Sequence, residues 1–338
     1  SWIPSCEIRC MNNENIGIEK ISYYLPKSSI TSRELADNYG YNQEFIETKV
    51  GVKKLFIEDS LSTTDMAVNA LELLLVDKED LRNKIELLVV CTQTPEYQLP
   101  QTSSQVQYRC SLSNSIASFD LSLGCSGYVY GLSIVESLLE SLGLDYGVLI
   151  TTEKYSNIVD DNDRNTKCLF SDAASATLLS RDGKLIPGKY KFGTDGEFYD
   201  SLIVRNKNHD SECVNNVLSM NGREIFNFTV GKIPNEISDV CKLNNLSKTE
   251  IDYFIIHQAS SYVISSIAAR SKIDDIDKFV NYMHLFGNTV SSSIPISLCQ
   301  LTNNMEDIAN KILISGFGVG LSWGSVVLFS KGDFVYEK

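Results

Sequence analysis

Three stretches of this 338-residue chain occur twice, in the same order. Ile85-Glu-Leu-Leu-Val-Val-Cys91-Thr-Gln93 shares its apolar pattern with Ile251-Asp-Tyr-Phe-Ile-Ile-His257-Gln-Ala259, 166 positions on (Cys91 to His257). Gly124-Cys125-Ser126 opens a helical pattern over 127–142, and Gly287-Asn288-Thr289 opens another over 290–301, 163 positions on (Gly124 to Gly287). Ala174–Arg181 matches Gly324–Lys331, 150 positions on (Ala174 to Gly324). Offsets that drift only as loop lengths would change them indicate a duplication. Short apolar runs alternating with amphipathic helical stretches indicate an α/β fold. The chain therefore reads as two α/β halves, 11–180 and 181–338, with no Pro- or Gly/Ser-rich linker between them, packed sheet beside sheet. Residues 1–10 precede Met11 and read as a leader or a non-native remnant.

Composition narrows the function. Apolar residues make up 43% and charged residues 22%, ordinary values for a globular protein. A chain of this length buries roughly three quarters of its unfolded surface, so its core needs neither disulfides nor a metal. No apolar run reaches the ~20 residues of a membrane span, and no signal-peptide pattern opens the chain. The net charge of −13 argues against nucleic acid, whose phosphates need a basic face. Nine cysteines without a C-x-x-C spacing read as reduced thiols of a cytoplasmic protein. Three histidines, His209, His257 and His284, are too few and too scattered for a His-rich metal site.

The repeat places Cys125, His257 and Asn288 at strand ends or strand-to-helix junctions, where ligands collect in α/β architectures. A thiol, an imidazole and a carboxamide meeting there supply a nucleophile and two hydrogen-bonding or proton-handling groups. Cys125 stops a strand at small residues just before a helix. The helix dipole and free N–H groups there are expected to lower its pKa from the free value of ~8.5. The other reading of Cys125 is a buried structural thiol, which suits Cys91, Cys110, Cys168, Cys241 and Cys299 among their apolar neighbours. His209 lies in a polar loop, while His284, four residues before Asn288, is the rival to His257. Gly316-Phe-Gly-Val-Gly320 lacks the strand–glycines–helix context of a nucleotide fingerprint. It reads instead as a bend between two strands, suited to presenting N–H groups to an oxyanion. Asp160-Asp161-Asn162-Asp163 lacks the twelve-residue loop and closing Glu of a calcium site and reads as a solvated loop.

With these residues in view the chain resembles the thiolase superfamily, and within it the 3-oxoacyl-(acyl carrier protein) synthase III family. The matching runs are Phe45–Val52, Phe119–Gly127, Leu169–Ala176, Ile255–Ala259, Gly287–Thr289 and Gly316–Gly324. The resemblance implies a layered αβαβα sandwich and a catalytic triad of Cys125, His257 and Asn288. It also implies an oxyanion hole from the N–H groups of Cys125 and Val319. Asn288 stands where chain-elongating synthases use a second histidine, and Gly316–Gly320 lacks the second cysteine of thiolases. The implied reaction is a decarboxylative Claisen condensation. An acyl thioester loads on Cys125, a malonyl-type thioester loses CO₂, and a 3-oxoacyl product forms without a metal or redox cofactor.

The same resemblance implies acyl-CoA or acyl carrier protein as partners, malonyl-acyl carrier protein as the second substrate, and a homodimer. It places Phe45 and Arg164 around an adenine ring and Lys49 near the cofactor phosphates. Arg223, Gln258, Ala259 and Arg270 join them on the CoA or carrier side. Leu99, reaching over from the partner subunit, and Phe226 are expected to line the acyl pocket. Tyr262 occupies the place of an arginine used in carrier docking, so an acidic carrier would meet a local patch of Lys49, Lys53, Lys54, Arg223, Arg270 and Lys272. Two other functions use the same residues. One is ester or amide formation from acyl-Cys125 without decarboxylation, which has no enolate for Asn288 to stabilise. The other is a non-catalytic partner subunit of the same fold. Chain length, branching and the pathway served are open at this level.

Overall fold

The computed structural model describes residues 15–76, 79–205, 217–303 and 310–331. Residues 1–10 and His209 lie outside these. One wing of the sheet holds the strands Ala117–Leu121, Leu87–Cys91, Tyr146–Glu153, Ala173–Ser180 and Gly17–Tyr24, in that spatial order. Leu87–Cys91 pairs in parallel with Tyr146–Glu153, which pairs antiparallel with Ala173–Ser180, which pairs antiparallel with Gly17–Tyr24. The other wing repeats this sequence of senses. Tyr253–Ile256 is parallel to Lys311–Gly318, which is antiparallel to Ser322–Ser330, which is antiparallel to Leu185–Pro187 and Lys191–Thr194. Even the outermost strand has an echo: Val89 faces Phe119 in the first wing, and Phe254 faces Phe279 in a single parallel bridge in the second.

The sheets of the two halves do not only pack beside each other, as the sequence suggested, but join. Leu185–Pro187 pairs with both Gly17–Tyr24 and Ser322–Ser330, so one ten-stranded sheet runs through the molecule. Alternate residues of each strand point to opposite faces. Leu87, Val89, Leu149, Ile255, Ile312, Ile314, Val326 and Leu328 share one core. Their neighbours Leu88, Val90, Val148 and Ile150 enter a second core, and Phe254, Ile256, Leu313 and Val327 a third. Strands buried on both faces must be apolar throughout, which is why they read as continuous runs.

Two helices fill the shared core. Gly127–Leu142, ended by Gly143 in the left-handed conformation, packs on strands of both wings, and so does Ser293–Asn303. Thr63–Leu75, started by a capping box between Ser62 and Asp65, covers the outer face of the first wing. Gly222–Leu243 and Ser261–Arg270 cover that of the second. The layers thus alternate helix, sheet, helix, sheet, helix. The second central helix starts three residues later than its sequence pattern suggests. A 3₁₀ turn, Val290–Ser292, with Val290 at φ 53°, lifts the chain away from Asn288 first.

Candidate active site

The carboxyl ends of the parallel strands set the site. Cys125 follows Ala117–Leu121, His257 follows Tyr253–Ile256, and Val319 follows Lys311–Gly318. Cys125 is 6% exposed, His257 2% and Asn288 3%. One short run of the second wing ties the first two together. The N–H of His257 donates to Ser315 O (2.8 Å), and the ring of Phe317 meets the imidazole edge-on with centroids 5.6 Å apart. The next residue, Gly318, lies against the thiol: a Cβ there would stand 3.0 Å from both Cβ and Sγ of Cys125. Asn288 joins through Ala259, whose carbonyl accepts from its Nδ2 (3.4 Å). The N–H of Val290 donates to Asn288 Oδ1 (3.0 Å), which fixes the orientation of the amide and leaves one Nδ2 hydrogen for a ligand.

His257 is held by Ser293, whose Oγ is 2.7 Å from Nδ1. That oxygen also accepts from the N–H of Gln258 (3.4 Å), and with its own hydrogen turned to Nδ1 it would leave the ring hydrogen on Nε2. Burial lowers the imidazole pKa to about 3, so His257 is neutral at working pH. The thiol of Cys125 departs from expectation. Burial, then the carboxylate of Glu153, raises its pKa to about 12, and only its own backbone N–H acts the other way. A helix dipole is worth up to ~2 kcal/mol, about one and a half pKa units. The net rise from 9.0 to about 12 is twice that, so desolvation wins and the resting group is a thiol.

Glu153 was not singled out from the sequence, although a carboxylate ending the apolar run of Tyr146–Glu153 is a signal in hindsight. It is fully buried and accepts from the N–H of Gln93 (3.1 Å), Thr94 Oγ1 (3.1 Å) and Ser291 Oγ (3.1 Å); burial raises its pKa to about 8. The thiol also faces an apolar cluster of Tyr155, Val159, Phe170, Leu202, Leu218 and Val290, with Val319 alongside.

The residues expected on the substrate side divide. Tyr41 contacts both Phe45 and Arg164. Tyr41 stacks on Phe45 (5.5 Å between centroids, 18° between planes), and the Arg164 guanidinium lies 5.1 Å from the centre of the same tyrosine ring. Gln258 is a strut, not a ligand-binding group. Its Nε2 donates to Ile256 O and Val280 O, and its Oε1 accepts from the N–H of Tyr282, which uses up the buried amide. Phe226 stacks on the exposed Tyr262 (5.3 Å, 14°), because its helix faces Ser261–Arg270, and does not belong to the cluster around Cys125. Lys49 lies over the other partner of that stack, 5.3 Å from the Tyr262 centroid. Leu99 is 85% exposed in the single chain. Arg223, Arg270, Lys53, Lys54 and Lys272 are exposed. His284 is exposed too, on the short helix Met283–Phe286, whereas His257 is buried. The acidic run is occupied locally: Asp163 caps Arg164–Lys167 and Asp161 pairs with Lys167.

Comparison with known proteins bears on this geometry. Models of the 3-oxoacyl-[acyl-carrier-protein] synthase III family match residues 119–196 and, for its C-terminal part, 241–329. The Beta-ketoacyl-[acyl-carrier-protein] synthase III of Lactococcus lactis subsp. cremoris is 32% identical over 321 residues, covering 92% of this chain and 98% of the relative. The chain belongs to this family. A relative of the same name from Streptococcus gordonii is 33% identical over the same shares. A crystal structure of a 3-oxoacyl-(acyl-carrier-protein) synthase III superposes with a TM-score of 0.88 at 30% identity, over 93% of this chain and 99% of the other. The protein is thus a condensing enzyme of the synthase III type, with the thiolase fold. Among the described residues no helix is long and apolar enough to cross a membrane.

Proposed function

We propose that the chain elongates an acyl group held on Cys125, using a malonyl thioester delivered by an acyl carrier protein. In the first half-reaction Sγ of Cys125 attacks the acyl carbon, the carbon–sulfur bond to the carrier breaks, and the thiol proton passes to the departing sulfur. In the second, the malonyl carboxylate leaves as CO₂ and its electron pair becomes an enolate. Nε2–H of His257 and Nδ2–H of Asn288 hold the enolate oxygen. The enolate carbon attacks the acyl carbon, and Cys125 leaves and takes up a proton. The N–H groups of Cys125 and Val319 receive the oxyanion in both steps, where one such donor is worth about 10²–10³ in rate. The balance needs two thioesters and no metal or redox cofactor.

The observation that supports this most is the close anchoring of the three groups: Cys125 and a neutral His257 stand against Ser315–Gly318, and Asn288, tied to Ala259 O, keeps a spare Nδ2 hydrogen. An ester- or amide-forming enzyme has no use for that second donor. Incubation with acyl-CoA and acyl-carrier thioesters should add one acyl mass, absent in Cys125→Ala. Malonyl-carrier should then release CO₂, and Asn288→Ala should slow that release about 10²-fold or more while Cys125 still loads. Loading without CO₂ release would favour ester or amide formation, and no loading with any thioester would favour a non-catalytic subunit. The exposed Leu99 and the sheet edge at Ala117–Leu121 fit a homodimer in which Leu99 enters the partner's acyl pocket.

A further inference from the structure

One polar side chain at the nucleophile is not accounted for by this chemistry. Gln93 follows the strand Leu87–Cys91, and its carboxamide lies against Gly124, the residue before Cys125. A Cβ on Gly124 would fall 2.4 Å from Gln93 Oε1 and 2.8 Å from a methyl of Val319. Tyr155, buried in the cluster around Cys125, donates its hydroxyl to Gln93 Oε1 (3.0 Å) and pins that end of the amide. Gln93 Nε2 donates to none of the described residues. The other polar groups of the site are engaged: Glu153 accepts from three donors, and His257 and Asn288 are assigned to the enolate. Around the thiol stand the apolar side chains of Val159, Phe170, Leu202 and Leu218.

We propose that Gln93 reads a hydroxyl carried near the carbonyl end of the acyl chain, so that the preferred group on Cys125 is a 3-hydroxyacyl-type group rather than a plain alkyl acyl. The inference rests on the reading of Cys125 as the acyl carrier. An alkyl chain sliding past Gln93 strips water from Nε2 and offers nothing in return, whereas a hydroxyl accepts its hydrogen. A hydroxyl suits the site whichever end of the amide faces it, because it both donates and accepts. Sites built to bond a hydroxyl reject the analogue without it far more strongly than apolar pockets reject an added one. With Gln93 only part-buried, the discrimination is expected at about tenfold.

The test is a competition on the full-length native protein. Equal amounts of butyryl- and 3-hydroxybutyryl-CoA, each enantiomer in turn, or the same groups on a carrier protein, are mixed with the enzyme. Intact mass, which separates the two adducts by one oxygen atom, gives the early ratio at Cys125. The expected ratio is about ten or more for one enantiomer, falling towards one in Gln93→Leu and falling in Tyr155→Phe, which releases the pinned end. Each variant's own butyryl loading reports that it is folded, and if Gln93→Leu loads neither, the native ratio decides. A native ratio near one, with both groups loading, overturns the inference and leaves the acyl-Cys125 reading standing. Loading of neither group, nor of acetyl, overturns both. Unchanged ratios combined with slower CO₂ release in Gln93→Leu would assign the amide to the malonyl group instead, and also overturn it.

Discussion

Desolvation and a helix dipole act on the same sulfur in opposite directions, and their sizes decide the chemistry at Cys125. Below a pKa of about 12 the thiolate fraction rises tenfold per pH unit, so alkylation of the resting enzyme by iodoacetamide should climb through pH 10 without a plateau. Burial is the main cause of this rise and the Glu153 charge the second, so above pH 8, where Glu153 is ionised, Glu153→Gln should speed alkylation at fixed pH by roughly threefold to tenfold, measured as loss of free thiol. A plateau below pH 8 would restore the dipole as the larger effect. Gly318 gives a second measure of how tightly the site is built. In Gly318→Ala the new methyl lands 3.0 Å from Sγ and displaces the nucleophile, so loading should fall at least about 10²-fold with little change in melting temperature. The placement of Cys125, His257 and Asn288 near one another was legible because the repeat sets each at a strand end or strand-to-helix junction. Glu153, Ser293, Tyr155 and Tyr41 were not, since a side chain that works by facing another from a remote strand leaves no local pattern. The direction of the Cys125 shift was illegible for a related reason: the dipole is local to its helix, but the burial comes from both halves of the chain.

The strands were the most legible elements, because two buried faces demand apolar residues at every position and leave a run that survives duplication. Phe279, a one-residue remnant of a strand, carries no such run. The helix Gly127–Leu142 was legible from its periodicity, but its burial between two wings was not, since spacing does not say what a face meets. That burial has an energetic consequence. Leu132 is fully buried in the shared core, so Leu132→Ala should lower stability by about 2–5 kcal/mol in urea unfolding, with the slope unchanged. A loss under 1 kcal/mol would mean that the central layer relaxes around the cavity.

At the scale of the whole molecule, charge bears on the approach of any acidic partner. A net charge of −13 disfavours the approach of an acidic partner, so the docking proposed above calls for a local patch of exposed cations, among them Lys49, Arg223 and Arg270. If these dock the carrier, KM for malonyl-carrier should rise several-fold between 0.05 and 0.5 M salt (roughly a threefold contraction of the screening length), while kcat and KM for acyl-CoA change much less. Equal salt sensitivity for both substrates would place the effect elsewhere. The continuity of the sheet and the sharing of its inner helices reach further than docking. Whatever opens one repeat strips cover from its twin, so heating should give one calorimetric peak whose van't Hoff and measured enthalpies agree per cooperative unit. On that expectation the two repeats form a single thermodynamic object, lost together or not at all.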